Sequence, residues 1–340
     1  MKQKKVLVLG AAGAMGRYLV PKLRDRGYAV DAVALEDFDF GPGVRPIKAQ
    51  AKDFSFRTEL LKNGYDGIVD FLTYPTNELV PYLPELLDST DHYIFLSSYR
   101  VYDGTKLPIR EDSPRLIDHS PDVLLKNSDD YSIFKARGEN ILRSRERKNW
   151  TIVRPAVTYS RTRFQLVTLE AAATVARARL GKTVVLPETA RDVQATMSWA
   201  GDAAEMIARL LFNERARGET FTVSTAEHHT WGEIADFYRD ICGLKALWTD
   251  QTDFLRIAVT GFDRFPLTGS WQLVCDRLFD RVIDNAKVLA ATGLNQEELM
   301  PLHDGLEYEI SRCPRDAFDG AMQLAVNIRM DEYLKNRRDL

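Results

Sequence analysis

Tyr131 and Lys135, in the run Tyr131-Ser-Ile-Phe-Lys135, share one face if the segment is helical. An ammonium beside a phenol favours the phenolate, so the tyrosine becomes usable as a general acid and base. Taken alone, such a pair is common on surface helices. A second stretch gives it context. Val6 to Leu9 is a short apolar run that enters Gly10, Gly13 and Gly16. Met15, Leu19, Val20 and Leu23 then recur at helical spacing. Backbone without Cβ lets a pyrophosphate approach, and a helix N-terminus offers it free N–H groups. The spacing is Gly-x-x-Gly-x-x-Gly, one residue longer in the first gap than the usual dinucleotide fingerprint. Gly10, Ala12, Gly13, Ala14, Met15 and Gly16 are expected to bind a dinucleotide.

The elements that must position these residues alternate between strand and helix. Strands are expected at Ala29–Leu35, Val44–Ala49, Ile68–Leu72, Tyr93–Leu96 and Trp150–Val153. Helices fall between them, with Leu60, Leu61 and Tyr65 in a short one and Tyr131–Lys148 in a long one. The alternation predicts an α/β fold: a doubly wound parallel (Rossmann) sheet with a smaller, mainly helical C-terminal substrate region. Residues 1–160 are expected to form the dinucleotide-binding domain, its sheet completed by parts of 183–225. Residues 161–340 are expected to pack against it. Residues 103–130 read as a long loop, Leu166–Leu180 as an Ala-rich helix and Thr220–Val223 as the last strand. Gln296–Tyr308 and Pro314–Tyr333 read as further helices. Thr230, three residues before Glu233, reads as a helix cap.

Composition narrows the function classes. The 340 residues carry a net charge of −3 with no basic block, which argues against nucleic acid and membrane surfaces. No run approaches the roughly 18 apolar residues of a membrane span. Cys242, Cys275 and Cys313 are far apart and form no Cys-x-x-Cys pair, as expected of free thiols in a cytoplasmic protein. The five histidines show no metal-ligand spacing, so no metal is expected. Glu36, Asp37 and Asp39 follow the second strand, and no Lys or Arg lies between Arg26 and Arg45. A bare acidic tip would repel a 2′-phosphate, so NAD is expected rather than NADP, with Glu36 on the ribose.

Further runs complete a pattern. They are Phe95-Leu-Ser-Ser-Tyr-Arg-Val-Tyr102, Tyr131-x-x-x-Lys135 with Gly138-Glu139, Val153-Arg-Pro155, Asp53-Phe54 and Asp284-Asn-Ala-Lys287. Together with the glycine loop they resemble the extended short-chain dehydrogenase/reductase superfamily, in its NAD-dependent epimerase/dehydratase-like branch. The resemblance implies Tyr131 as acid/base, Lys135 lowering its pKa and binding the ribose, and Ser98 orienting the substrate oxygen. It places Asp53, Phe54, Leu72 and Pro155 against the cofactor. Ser97 is expected to bond backbone at its strand end. Tyr99 and Tyr159 would line the substrate cleft, and Tyr102 would pack. Arg161, Arg163 and Arg191 are the candidates for a substrate diphosphate, since a guanidinium donates two parallel bonds to phosphate.

One departure is informative. Related 4,6-dehydratases resemble Thr-Asp-Glu where this chain has Ser98-Tyr99-Arg100, so elimination chemistry is disfavoured. The resemblance thus implies an NAD-dependent epimerase of a sugar, foremost a nucleotide sugar. The alternatives are an NAD(P)-dependent dehydrogenase or ketoreductase of a small carbonyl, and a non-catalytic role like that of the chloroplast stem-loop RNA-binding relatives. It also implies a homodimer built on two helices, Tyr131–Lys148 being one.

Overall fold

The computed structural model describes residues 2–263 and 270–338. Seven parallel strands form the central sheet: β1 (Lys5–Leu9), β2 (Ala29–Ala34), β3 (Val44–Lys48), β4 (Tyr65–Asp70), β5 (Thr90–Leu96), β6 (Trp150–Pro155) and β7 (Glu219–Val223). Their spatial order is β7-β6-β5-β4-β1-β2-β3. The order reverses between β1 and β4, whose carboxyl ends therefore open a crevice.

Side-chain alternation explains the two layers. Val6, Val8, Val30, Ala32, Val69 and Ile94 face helices α1 (Gly16–Asp25) and α5 (Ala200–Leu210). Leu7, Leu9, Val33, Ile68, Tyr93 and Phe95 face α2 (Phe54–Leu61) and α3 (Thr76–Asp88) on the other side. A strand buried on both faces must be apolar at every position, and Val6–Leu9 is. Helix α4 (Tyr131–Ser144) follows β5 and packs against α3.

The remaining elements are short. Thr183–Pro187 pairs in parallel with Lys245–Thr249 in a separate two-stranded sheet, outside the central one. A mainly helical region, including Trp231–Cys242, Leu302–Arg312 and Ala325–Arg338, covers the carboxyl side. The Thr230–Glu233 capping box forms as expected.

Several local expectations are corrected. Tyr65 opens β4 rather than closing a helix, and its hydroxyl bonds buried Asp31 at 2.6 Å. Helix α4 stops at Ser144, because Lys148 Nζ takes the freed carbonyls of Arg143 and Arg145 at 2.8 and 2.6 Å. Segment 103–130 contains two short helices, Leu116–His119 and Val123–Asn127. In place of a helix over 166–180 there is a Leu166–Leu169 bridge, a 3₁₀ turn at Ala171–Ala173 and a helix only at Val175–Arg179. Tertiary bonds set that break: the buried Arg177 guanidinium is held by Thr183 O, Asn327 O and Asp331. Glu219–Val223 is followed by two further strands, His229–Thr230 and Lys245–Thr249. Segments 296–308 and 314–333 each divide into a 3₁₀ turn and a later helix, the second after a left-handed Gly320 at φ 75°. Among the described residues no helix is long and apolar enough to cross a membrane.

Candidate active site

The glycine loop turns at Gly10, where φ is 74° and glycine alone is at ease. Gly13 N–H donates to Gly10 O at 3.1 Å, and Arg17 N–H to Gly13 O at 3.2 Å. At Gly16 a Cβ would stand 2.7 Å from the Ala11 carbonyl carbon, so α1 can enter only with glycine there. No side chain caps α1; its Arg17 and Tyr18 N–H groups already donate to Gly13 O and Met15 O at 3.2 and 3.1 Å, so an anion there would meet the Gly16 N–H and the positive end of the helix. Gly10, Gly13, Ala14, Met15 and Gly16 line one end of a cleft of about 430 Å³. Ala12 does not line it. Its carbonyl instead accepts the Arg17 guanidinium at 2.9 Å.

The other end of the cleft holds Ser98, Tyr99, Arg100, Tyr131, Pro155 and Arg163. Ser98 ends the stretch after β5, and its Oγ accepts the Arg100 N–H at 3.2 Å, forming a 3₁₀ turn. The Ser98 side chain acts on the Tyr131 phenol in the direction that favours its ionised form. Tyr131 is the first residue of α4, which Asp130 caps by accepting the Ser132 N–H at 2.9 Å. Burial raises the Tyr131 pKa, and the positive charges of Arg100 and then Arg163 oppose that rise.

Lys135 sits one turn further along α4. Its Nζ donates to Leu96 O at 2.6 Å and Leu72 O at 3.3 Å, and lies 5.7 Å from the Tyr131 ring centroid. Burial pulls its pKa down to about 8, with Asp70 opposing. Leu72 thus contributes a carbonyl to Lys135, while its side chain lies beside Gly10. Asp70, buried at the end of β4, accepts the Leu72 N–H and the Tyr74 and Tyr93 hydroxyls.

Two features seat α4 on the sheet. A Cβ on Gly138 would stand 2.6 Å from Phe95 Cζ, so the helix lies close on β5. Glu139, wholly buried, receives Arg154 from β6 and the Ser97 hydroxyl at 2.6 Å. Ser97 therefore bonds a carboxylate rather than backbone. The Tyr102 ring packs, with its hydroxyl on Thr222 at 2.6 Å.

The adenosine end differs from the expected bare acidic tip. Glu36 is exposed at the end of β2, but Asp37 pairs with Lys48 of β3 at 2.6 Å. The Arg17 guanidinium lies 5.1 Å from the Phe38 ring centroid. Pairing between strands and a helix side chain bring cations that are distant in sequence. Asp53 caps α2 by accepting the Phe56 N–H at 2.7 Å, and Phe54 is exposed beside it.

Three expected substrate contacts, Tyr159, Arg161 and Arg191, lie off the cleft. Tyr159 is fully buried, and its hydroxyl abuts Gly305 of the C-terminal region. Arg161 is exposed and donates to Arg312 O at 2.8 Å. Arg191 is exposed, 3.5 Å from Glu188 and 5.7 Å from the Trp248 ring centroid. Tyr99 does line the cleft, yet its hydroxyl is committed to Asp276 and Arg277. Of the three candidate arginines, Arg163 alone reaches the cleft lining, with Thr158 Oγ1 at 3.5 Å.

Sequence reasoning did not find Arg277, Gln165, Glu170 and Gln272, which also line the cleft. Buried Asp276 gathers Arg100, Arg277 and Arg281 around itself. These residues follow no local pattern and meet only through the fold. Arg100 did carry a signal, since it stands two residues after Ser98.

No family model and no curated protein matches the chain. Solved structures do. The UDP-glucose 4-epimerase of Thermus thermophilus, solved in complex with NAD, is 18% identical, covers 91% of this chain and 98% of its own, and superposes with a TM-score of 0.65. A short-chain dehydrogenase/reductase superfamily protein from Agrobacterium tumefaciens with bound NAD is 17% identical over 98% of this chain and 99% of its own, TM-score 0.62. The Bordetella bronchiseptica enzyme WbmG, in complex with NAD and UDP, is 15% identical over 96% of this chain and 97% of its own, TM-score 0.63. The chain has the doubly wound fold that these epimerase and short-chain dehydrogenase/reductase structures share.

Proposed function

We propose that the chain is an NAD-dependent epimerase of a sugar, foremost a nucleotide sugar. One observation carries this reading. One cleft is lined by the glycine loop and the start of α1 at one end and by Ser98 and Tyr131 at the other. The likeness in fold to a UDP-glucose 4-epimerase supports it.

The residues fit a dinucleotide, since Gly16 has no room for a Cβ and α1 has no side-chain cap. Gly10 to Gly16 would hold the pyrophosphate, Glu36 the adenosine ribose, Asp53 the adenine amine and Lys135 the second ribose. Bound NAD supplies a reversible hydride acceptor. Tyr131 takes the proton of the substrate hydroxyl as the carbon is oxidised, and Ser98 holds that oxygen. In the reverse sense Tyr131 would give that proton back to the same oxygen. Pro155 bounds the cleft at the end of β6, and Arg163 is placed to meet a substrate phosphate. Residues 1–160 with β7 make up the dinucleotide-binding part in this reading, and residues 161–340 the substrate part.

Net reduction of a small carbonyl would use the same three catalytic residues. It is favoured by the position of Arg161 and Arg191 outside the cleft lining, which leaves fewer cations for a diphosphate. Purified protein incubated with NAD and a panel of nucleotide sugars separates the readings. Epimerisation interconverts sugars without net change in reduced-nicotinamide absorbance, and reduction consumes cofactor stoichiometrically. Protein that retains NAD yet interconverts no epimers overturns the first reading.

A further inference from the structure

Lys135 is the cation expected to favour the Tyr131 phenolate, but a second one stands nearer. The Arg100 guanidinium carbon lies 5.2 Å from the Tyr131 ring centroid, against 5.7 Å for Lys135 Nζ. Two carboxylates pair with Arg100, each at a different nitrogen. Asp130, the cap of α4, is 3.6 Å from Nη2, and buried Asp276 is 3.3 Å from Nε. Asp276 is itself gripped by Arg277 and Arg281, so the guanidinium is anchored to the C-terminal region. The turn that presents Arg100 is closed by Ser98, which lines the same cleft as Tyr131.

We propose that Arg100 is a positioning residue: a permanently charged guanidinium, clamped between Asp130 and Asp276, that favours the Tyr131 phenolate alongside Lys135. The assignment rests on the reading of Tyr131 as the acid/base. Its physical basis is a difference between the two cations. A guanidinium stays charged at every pH at which a protein is folded. The Lys135 ammonium is buried and already gives two of its three donors to the Leu72 and Leu96 carbonyls. Its pKa of about 8 means that its charge declines in weak alkali. The charged groups around Tyr131 are Asp130 and Lys135 on α4, Arg100 on the turn, and Arg163 beyond β6. Glu170, Asp276 and Arg277 lie further out around the same cleft. Asp130 opposes the phenolate, so Arg100 also screens Tyr131 from its own helix cap.

The test follows the ionisation of Tyr131 directly and needs no substrate. Full-length protein is labelled with 3-fluorotyrosine, and the fluorine resonance of Tyr131 is assigned by its absence in Tyr131→Phe. Its titration midpoint is then compared in wild type, Arg100→Gln and Arg100→Lys. Arg100→Gln is expected to raise the midpoint by about one to two units, a ten- to hundredfold loss of phenolate at fixed pH. Arg100→Lys keeps a charge that can reach Asp276, and an intermediate midpoint is expected. Unchanged resonances of Tyr102 and Tyr238, on which Arg100 is not among the acting charges, report that the surrounding packing persists. Should Arg100→Gln fail that check, Arg100→Met is titrated in its place. A midpoint equal to wild type in whichever neutral variant is folded overturns the assignment. Because no turnover is measured, this result is independent of whether any sugar is epimerised.

Discussion

The Arg154 guanidinium is forked onto the Glu139 carboxylate, with Nε to Oε1 at 2.7 Å and Nη2 to Oε2 at 2.6 Å, both side chains buried. The pair ties α4 to β6 and so fixes where Tyr131 stands. Burial alone would raise the Glu139 pKa, but Arg154 overrides it and the group lies at about 2. Removing one partner strands a buried charge. Glu139→Gln is expected to cost about 3–5 kcal/mol, and replacing both, as Glu139→Gln with Arg154→Met, much less than the sum of the single changes. Chemical denaturation of the two single variants and the double variant measures the coupling. The sign with pH also follows. The folded pKa is depressed, so the pair's contribution is present above the ordinary carboxylate range and lost as pH falls toward about 2.

Gly16→Ala is expected to abolish dinucleotide binding. The new Cβ meets Ala11 backbone, which cannot swing aside like a side chain. A stability loss of about 1–3 kcal/mol should accompany it, as for other overpacked sites. Thermal unfolding with and without NAD gives both quantities: the variant should melt lower and show no NAD-dependent shift.

Tyr159→Phe tests whether that residue packs or binds substrate. Its hydroxyl is buried, has no hydrogen-bond partner among the described residues and abuts Gly305. Removing it should leave stability unchanged or raise it by up to about 1 kcal/mol, with catalysis unaffected. Gly305→Ala should destabilise, because its Cβ would collide with that hydroxyl, and Tyr159→Phe should recover part of the loss. Denaturation midpoints of the three variants check this.

Asp202, near the start of α5, accepts the Met300 N–H at 2.7 Å, and burial lifts its pKa to about 6. A raised carboxylate pKa means that the charged form is penalised in the fold. The penalty is full above about pH 6 and fades as pH falls toward the ordinary value of 3.8. Asp202→Asn keeps an acceptor for Met300 and removes the charge. It is expected to gain about 1–3 kcal/mol at neutral pH and nothing below about pH 4. Denaturation of wild type and variant across this range shows whether the two curves converge in acid.

Much of the architecture was legible in the chain because its signals are local. A strand buried on both faces must be apolar throughout, and Val6–Leu9 is. A turn at positive φ followed by a helix pressed against backbone demands glycine, and Gly10 and Gly16 supply it. Helical spacing alone puts Tyr131 and Lys135 one turn apart. Errors arose where bonds distant in sequence overrode local preference. Arg177 reaches Asn327 and Asp331, and the Ala-rich stretch breaks around it.

The sequence by itself determined the alternation of strand and helix, the glycine turn and the one-turn spacing of Tyr131 and Lys135, because each depends on residues a few positions apart. Tertiary structure alone decided the charges around them. It brought Lys48 to Asp37, sent Arg161 and Arg191 away from the cleft and left Arg163 within it. It also carried Asp276 across the fold to hold Arg100 over Tyr131. The physical reason is range: hydrophobic periodicity and backbone sterics act between neighbours in the chain. Ion pairs depend on distance in space, which exists only once the chain has folded.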